Sequence, residues 1–287
     1  MKKTFKGFNT AAIKYQDSFL ALLLKIKQHD DFFKNYYLQA NELADFLLIL
    51  RSRIDIIATR LSIEGEQYKD KVVSCAETLI ANTPQIEMAE VQEPNPEQRI
   101  ISLTLKPEPE GATIIAALQN GQMAILYIDD MLVEPLIIAI QQALSNANEA
   151  ELIQDFASSL NYLLLYTAEL KDTQSIDYKQ FPQEEWKLKL FSHYLAVLFC
   201  FDTEEGKTIF SGSVIKTSAA HPSEEENSIV MCILNKYPSL KAAHLHSPAC
   251  QIFSSIVPSQ PGRMLSLEEC LRPLHAFYLE KKAELNA

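Results

Sequence analysis

Apolar and polar positions along the first 60 residues mark out three short extended runs followed by one long helix. Ala11–Tyr15 and Phe19–Lys27 flank a turn at Gln16-Asp17, and Phe33–Leu38 follows Asp30-Asp31 as a third strand. Next, Leu43, Phe46, Leu47, Leu50, Ile54, Ile57 and Leu61 advance by three or four residues, the spacing that gathers them on one helical face. Glu42, Asp45, Arg51, Arg53, Asp55 and Arg60 are left for the opposite face, with Arg51 and Asp55 one turn apart as a surface pair. The pattern predicts an amphipathic helix laid on a sheet. A second helix is predicted over residues 66–81, with Tyr68, Val72, Val73, Cys75, Ala76, Leu79 and Ile80 as its stripe. Pro84, Pro94 and Pro96, interspersed with Glu87, Glu90, Glu93 and Glu97, then read as an acidic connection between units.

Beyond it the pattern returns. Arg99–Leu105, Ala112–Leu118 and Gln122–Ile128 form three more strands, the last two joined by Asn120-Gly121, a strong hairpin signal. A helix follows over residues 130–144. The junction from Tyr37 to Leu47 aligns with that from Tyr127 to Leu136, which suggests a duplication with a period near ninety residues. A weaker third echo runs from Met264 to Leu274 and includes a capping box, Ser266 with Glu269. Any strand that leads into an amphipathic helix produces a similar string, so convergence competes with duplication.

Leu152, Phe156, Leu160, Leu163 and Leu164 suggest one helix over residues 149–170, and residues 171–185 a polar surface loop. Trp186, Leu188 and Leu190 alternate with Lys187 and Lys189 as in a half-buried strand that continues into Tyr194–Phe201. Thr208–Lys216 is its hairpin partner. Ser223 with Glu226 forms a capping box ahead of a short helix, and strands at Ala242–His246 and Gln251–Val257 complete the tally. The fold expected is α+β: predominantly antiparallel sheets with long amphipathic helices, in pseudo-repeated strand-strand-strand-helix units spanning residues 1–97, 98–180 and 181–287.

Composition narrows the function classes. The net charge of −11 repels phosphate backbones and anionic lipid, which disfavours nucleic-acid and membrane partners. Seven glycines, all isolated, leave no loop able to cradle a phosphate, so neither a nucleotide nor another cofactor is expected. Five cysteines without a C-x-x-C pair read as reduced core residues. Met1–Phe8 alternates charge with aromatics, unlike a signal peptide, and the apolar run Phe19–Leu24 is too short to span a bilayer, which makes the cytoplasm the expected compartment.

The sharpest cluster for chemistry is the segment from His244 to Cys250. On a strand His244 and His246 share a side, and Cys250 adds a soft ligand, so the three are candidate metal ligands that distant His221 could join. The plain alternative is two histidines at a sheet edge. Cys200 and Cys250 are candidate nucleophiles, weighed against inert buried thiols. Ser211 and Ser213 flank Gly212 but lack the second glycine of a nucleophile elbow. Asp30-Asp31 and Asp129-Asp130 are adjacent carboxylates that could split into acid and base, although acids at helix starts more often act as caps. Glu224-Glu225-Glu226 reads as a solvated first helical turn.

Three functions stand open. The order of strands and helix resembles that of the PUR and Whirly folds, which implies a curved sheet binding single-stranded nucleic acid, with Phe32, Phe33, Tyr36 and Tyr37 to stack bases and Lys34 beside them. A metal-dependent enzyme would use His244, His246 and Cys250. The reading that requires least is a non-enzymatic binding or regulatory scaffold that works through protein–protein contacts, including self-association into a homo-oligomer.

Overall fold

A computed structural model describes residues 4–170, 176–202, 208–237, 240, 249–260 and 262–285, with the side chains of 249 and 250 excepted. The fold is α+β: among the described residues eight helices accompany eleven strands in three sheets, and every ladder between named strands is antiparallel. The chain clusters into two compact units, Met1–Leu160 and Asn161–Ala287.

In the first unit β1 (Gly7–Tyr15), β2 (Ser18–Lys27) and β3 (Phe33–Leu38) form a meander, as do β4 (Ile100–Glu108), β5 (Gly111–Leu118) and β6 (Met123–Asp129). The turns follow local chemistry. Gln16 and Asp31 take left-handed backbone angles, and Gly121 does so after Asn120. Gly111 opens β5 where a Cβ would lie 2.2 Å from Ile128 O, so no larger residue fits. Helix α1 (Ala40–Glu64) lies against β2, β3, β4 and α4 (Asp130–Asn146), while α2 (Glu66–Ala81) lies against α1, α4 and β1. The unit closes with α5 (Ala150–Ser159).

The acidic proline-bearing stretch is structured. It contains α3 (Met88–Gln92), and Ile86 and Val91 pack on the sheet face made by Ile13, Ala21, Leu23 and Tyr37. Buried Lys25 reaches out of that face to Glu90 at 2.7 Å and to Gln85 O at 2.8 Å. A buried ammonium needs such a partner, and Glu90 supplies it.

Helix α1 departs from the predicted facing. Leu43, Phe46, Leu47 and Leu50 are buried, but the stripe then surfaces: Ile54 and Ile57 are half-buried and Leu61 is exposed. Arg53, which the spacing assigns to the polar side, is 5 % exposed. The cause is Asp130 at the start of α4, which draws the guanidinium inward.

Both meanders run into a helix, so the order strand-strand-strand-helix occurs twice. Element order alone does not establish a duplication, because any meander closed by a helix has it. In the second unit a helix separates the last two strands, so the third echo is limited to a strand–helix junction.

That unit is a five-stranded sheet in the order β11-β9-β10-β7-β8, built from β7 (Tyr162–Leu170), β8 (Asp177–Gln180), β9 (His193–Asp202), β10 (Thr208–Thr217) and β11 (Ala249–Val257). Helix α7 (Glu224–Lys236) covers one face, where Ile229, Val230, Ile233 and Leu234 meet Leu164, Leu195, Val197, Phe199 and Ile215. Helix α8 (Leu267–Leu285) covers the other: a Cβ on Gly212 would lie 3.1 Å from Leu274 Cδ1, and the Phe210 ring meets Tyr278 edge-on.

Three expectations change here. The leucine-rich stretch 149–170 is not one helix, because Tyr162–Tyr166 is a continuous apolar run buried on both faces of the sheet, and β7 begins there. Residues 171–185 include β8, paired to β7. Trp186–Leu190 is not a strand: α6 (Glu185–Leu188) forms a single turn, supported by the Lys189–Glu185 pair at 2.5 Å and by Lys216 Nζ donating to Leu188 O. The strand expected at Ala242–His246 lies outside the described residues.

Candidate functional site

The two ends of the β5–β6 hairpin settle which way β6 presents its amides. Leu118 N donates to Gln122 O at one end and Asp130 N to Glu110 O at the other. Antiparallel pairing alternates, so Ala124, Leu126 and Ile128 bond β5, whereas Met123, Ile125 and Tyr127 turn their N–H and C=O groups to the open side. Among the described residues no strand pairs with that side. Tyr127 O receives a hydrogen bond from Thr4 Oγ1 at 3.0 Å. Met123 and Ile125 are 60 % and 72 % exposed.

A cleft of about 370 Å³ runs along this edge, lined by Ile125, Leu126 and Tyr127 on one side and by Thr4, Phe5 and the stretch Ile26–Asp30 on the other. It shares Thr4, Phe5 and His29 with a second, more apolar cleft of about 560 Å³, reached by Cys75 and Leu79 of α2 and by Met131 and Leu132 of α4. Lys6 pairs with Asp31 at 3.1 Å, a carboxylate shared with Lys27 at 3.3 Å, and Lys71 pairs with Glu64 at 3.0 Å, shared with Arg60 at 3.2 Å. Asp30 and Asp70 also line the clefts, and neither forms an ion pair among the described residues. Burial, with Asp129 adding to it, pushes the Cys75 thiol up, away from the thiolate form a nucleophile uses.

Behind the cleft α4 is held by charge. Arg53 grips Asp130 with Nε at 2.7 Å and Nη2 at 3.0 Å, and Arg60 Nη1 adds a contact at 3.2 Å. Arg60 also stacks over Tyr68 and reaches Glu64 and Glu110. Asp129 caps α4 by accepting from Met131 N, yet burial raises its pKa. The paired carboxylates of the sequence are thus a cap and a buried ion-pair partner. Asp30 accepts from Phe32 N, while Asp31 sits in the turn between Lys6 and Lys27, which hold its pKa down.

In the second unit Glu226, 2 % exposed, accepts from Ser254 Oγ and sits 2.6 Å from His221 Nδ1. Ser223 caps α7 through Glu226 N, but the Glu226 carboxylate is diverted to His221 and Ser254, so the predicted box is half-formed and its acid buried, not solvated. The box on α8 is complete, with Ser266 N donating to Glu269 and Glu269 N to Ser266 Oγ. His193 lies in the field of both His221 and Glu226, and burial holds its pKa low.

The candidate metal ligands His244 and His246 lie outside the described residues; Cys250 is described only by its backbone, in β11. Among the described residues no group of three or more His, Cys, Asp or Glu side chains could hold a metal ion. His221 is engaged with Glu226. Cys75, Cys232 and Cys270 are free thiols, with Cys270 pushed up to about 11 by burial, and Cys200 is buried on β9. Ser211 and Ser213 stand within β10, not on a strand-to-helix turn, and Ser211 donates to Leu240 O. Of the four aromatics proposed to stack bases, Phe32 and Phe33 are exposed and Tyr36 and Tyr37 are buried. No helix among the described residues is long and apolar enough to cross a membrane.

Comparison with known proteins adds a family. A family model described as YjeJ-like matches residues 1–284. The chain belongs to the YjeJ-like family. A curated relative, the uncharacterized protein YjeJ of Escherichia coli (strain K12), is 33% identical over 279 residues, which covers 96% of this chain and 95% of the relative. No solved structure matches. Both units of the fold therefore fall within the family match, and neither is an appendage to it.

Sequence reasoning did not single out the β6 edge. Its alternation of exposed Met123 and Ile125 with buried Ala124 and Leu126 was the available signal, because a half-buried edge strand with large apolar residues outward is unusual.

Proposed function

We propose that the protein is a non-enzymatic binding or regulatory scaffold that works by contact with another protein. The observation that carries this reading is the β6 edge, which pairs with no strand among the described residues and directs amide groups outward beside the exposed side chains of Met123 and Ile125. Monomeric proteins ordinarily blunt such edges with charge, proline or a covering segment. Ile54, Ile57 and Leu61 on α1 add a second apolar strip that emerges at the surface, and these are the kinds of surface through which scaffolds associate.

A photo-crosslinking residue placed at Met123, with one at exposed Glu280 of α8 as control, tests this in living cells. A discrete protein adduct at position 123 and none at 280 is expected. Absence of any adduct, together with a strictly monomeric mass by light scattering at all concentrations, would sink the scaffold reading.

A further inference from the structure

The polar cluster on the α7 face of the second unit sets one carboxylate against two imidazoles. Glu226, 2 % exposed, has both oxygens engaged: one accepts from Ser254 Oγ on β11, and the other lies 2.6 Å from His221 Nδ1 in the connection between β10 and α7. His193, at the start of β9, places Nδ1 2.9 Å from Ser192 Oγ. That hydroxyl gives its proton to Thr217 O at 3.3 Å, so it accepts from Nδ1, and the bare lone pair of His193 is on Nε2. Nε2 is buried and has no hydrogen-bond partner among the described residues. A proton taken up by His193 therefore lands where nothing receives it.

Among the described residues, the charges that reach His193 are those of Glu226 and His221. Strand β10 presents Thr217 beside it and turns Lys216 to the opposite face, over the Tyr194 ring; β11 presents Ser254; Glu224 and Glu225 of α7 are exposed. One carboxylate matches one imidazolium. A proton on His221 is met by Glu226, but a further proton on His193 adds like charge to a half-buried site whose single acid is already committed.

We infer that His193, His221 and Glu226 form a proton-operated latch: with at most one imidazole charged it holds the 218–223 connection and β11 against α7, and with both charged it lets them part from it. Opening delivers both imidazoliums to water. Burial, the larger influence on His193, holds its pKa low, so the open arrangement takes the proton first. The contribution of His193 to closure is complete above about pH 6.5 and is lost as pH falls below that. The latch lies in the second unit, so its test is independent of the β6 edge.

Hydrogen exchange of the full chain, read by mass spectrometry at pH 7.5 and pH 5.5 and corrected for the intrinsic pH dependence of amide exchange, tests this. Opening of residues 218–226 and 251–257 should rise several-fold at the lower pH. The ceiling is about tenfold, the most that one imidazole with an open-state pKa of about 6.5 yields over that interval. Strand β5 serves as control and should not change. His193→Gln should abolish the rise. Should that variant misfold, His221→Gln carries the same test: Glu226 then matches a proton on His193, and the rise should shrink. Exchange that is the same at both pH values, a rise of equal size in β5, or a rise undiminished in the folded variant overturns the latch.

Discussion

Arg53 and Asp130 show how one pair of charges can reset what a helix buries. Both side chains are nearly sealed from solvent, at 6% and 1% exposure, and each is tolerable only because the other is there. Arg53→Met leaves Asp130 buried with Arg60 alone. Its expected effect is a loss of about 3 kcal/mol in urea unfolding, near the lower end for breaking a buried pair. The double variant Arg53→Met/Asp130→Leu should lose clearly less, because no uncompensated charge remains; a double loss equal to the sum of the two single losses would mean the pair is not coupled. At the other unit's polar cluster, burial holds His193 below the ordinary imidazole pKa of 6.5. A lowered histidine pKa means the unfolded chain binds the proton first, so its contribution to stability is complete above that value and is lost as pH falls below it. His193→Gln should therefore shrink the drop in Tm between pH 7.5 and pH 5.5, measured by circular dichroism, relative to the unchanged protein.

Among elements, the two serine-capped helices α7 and α8 separate what a cap contributes from what a buried acid contributes. Ser266→Ala on α8 and Ser223→Ala on α7 each remove a side-chain acceptor and should cost about 1 kcal/mol. Glu226→Ala should cost more than Glu269→Ala, because it strips His221 and Ser254 of their partner inside the fold, whereas Glu269 is solvated. Equal costs would show the Glu226 cluster to be loose. The caps themselves were legible, since Ser-x-x-Glu before an apolar run is a local pattern. So were the hairpins at Asn120-Gly121 and between β9 and β10. The facing of α1 beyond Leu50 was not, because periodicity registers that Arg53 is polar but not that Asp130, 77 residues on, is waiting for it. Leu163 and Leu164 misled for another reason: a strand buried on both faces and a buried helix present the same unbroken apolar run.

At the scale of the whole molecule, the α+β class and the antiparallel pairing followed from alternation and turn residues. The cleft did not, since Phe5, Ile26–Asp30, Leu79 and Ile125 meet only after folding, and no short motif joins them. Each unit contains a hydrophobic cluster drawn from its own residues: Ile13, Leu23 and Tyr37 with Val91 in one, Val197, Phe199 and Ile233 in the other. Fragments 1–160 and 161–287 are accordingly expected to unfold cooperatively when made separately, as followed by circular dichroism in urea; a fragment with no sigmoidal transition would contradict that. The stretch from Asn82 to Gln92 has the composition of a tether but is stitched down by Asn9 on Pro84, by Lys27 on Asn82, and by Lys25 and Asn35 on Glu90. A protease searching for slack chain would thus pass over the segment whose composition most invites it, and a single change, Glu90→Ala, should turn that segment into the first place the protein is nicked.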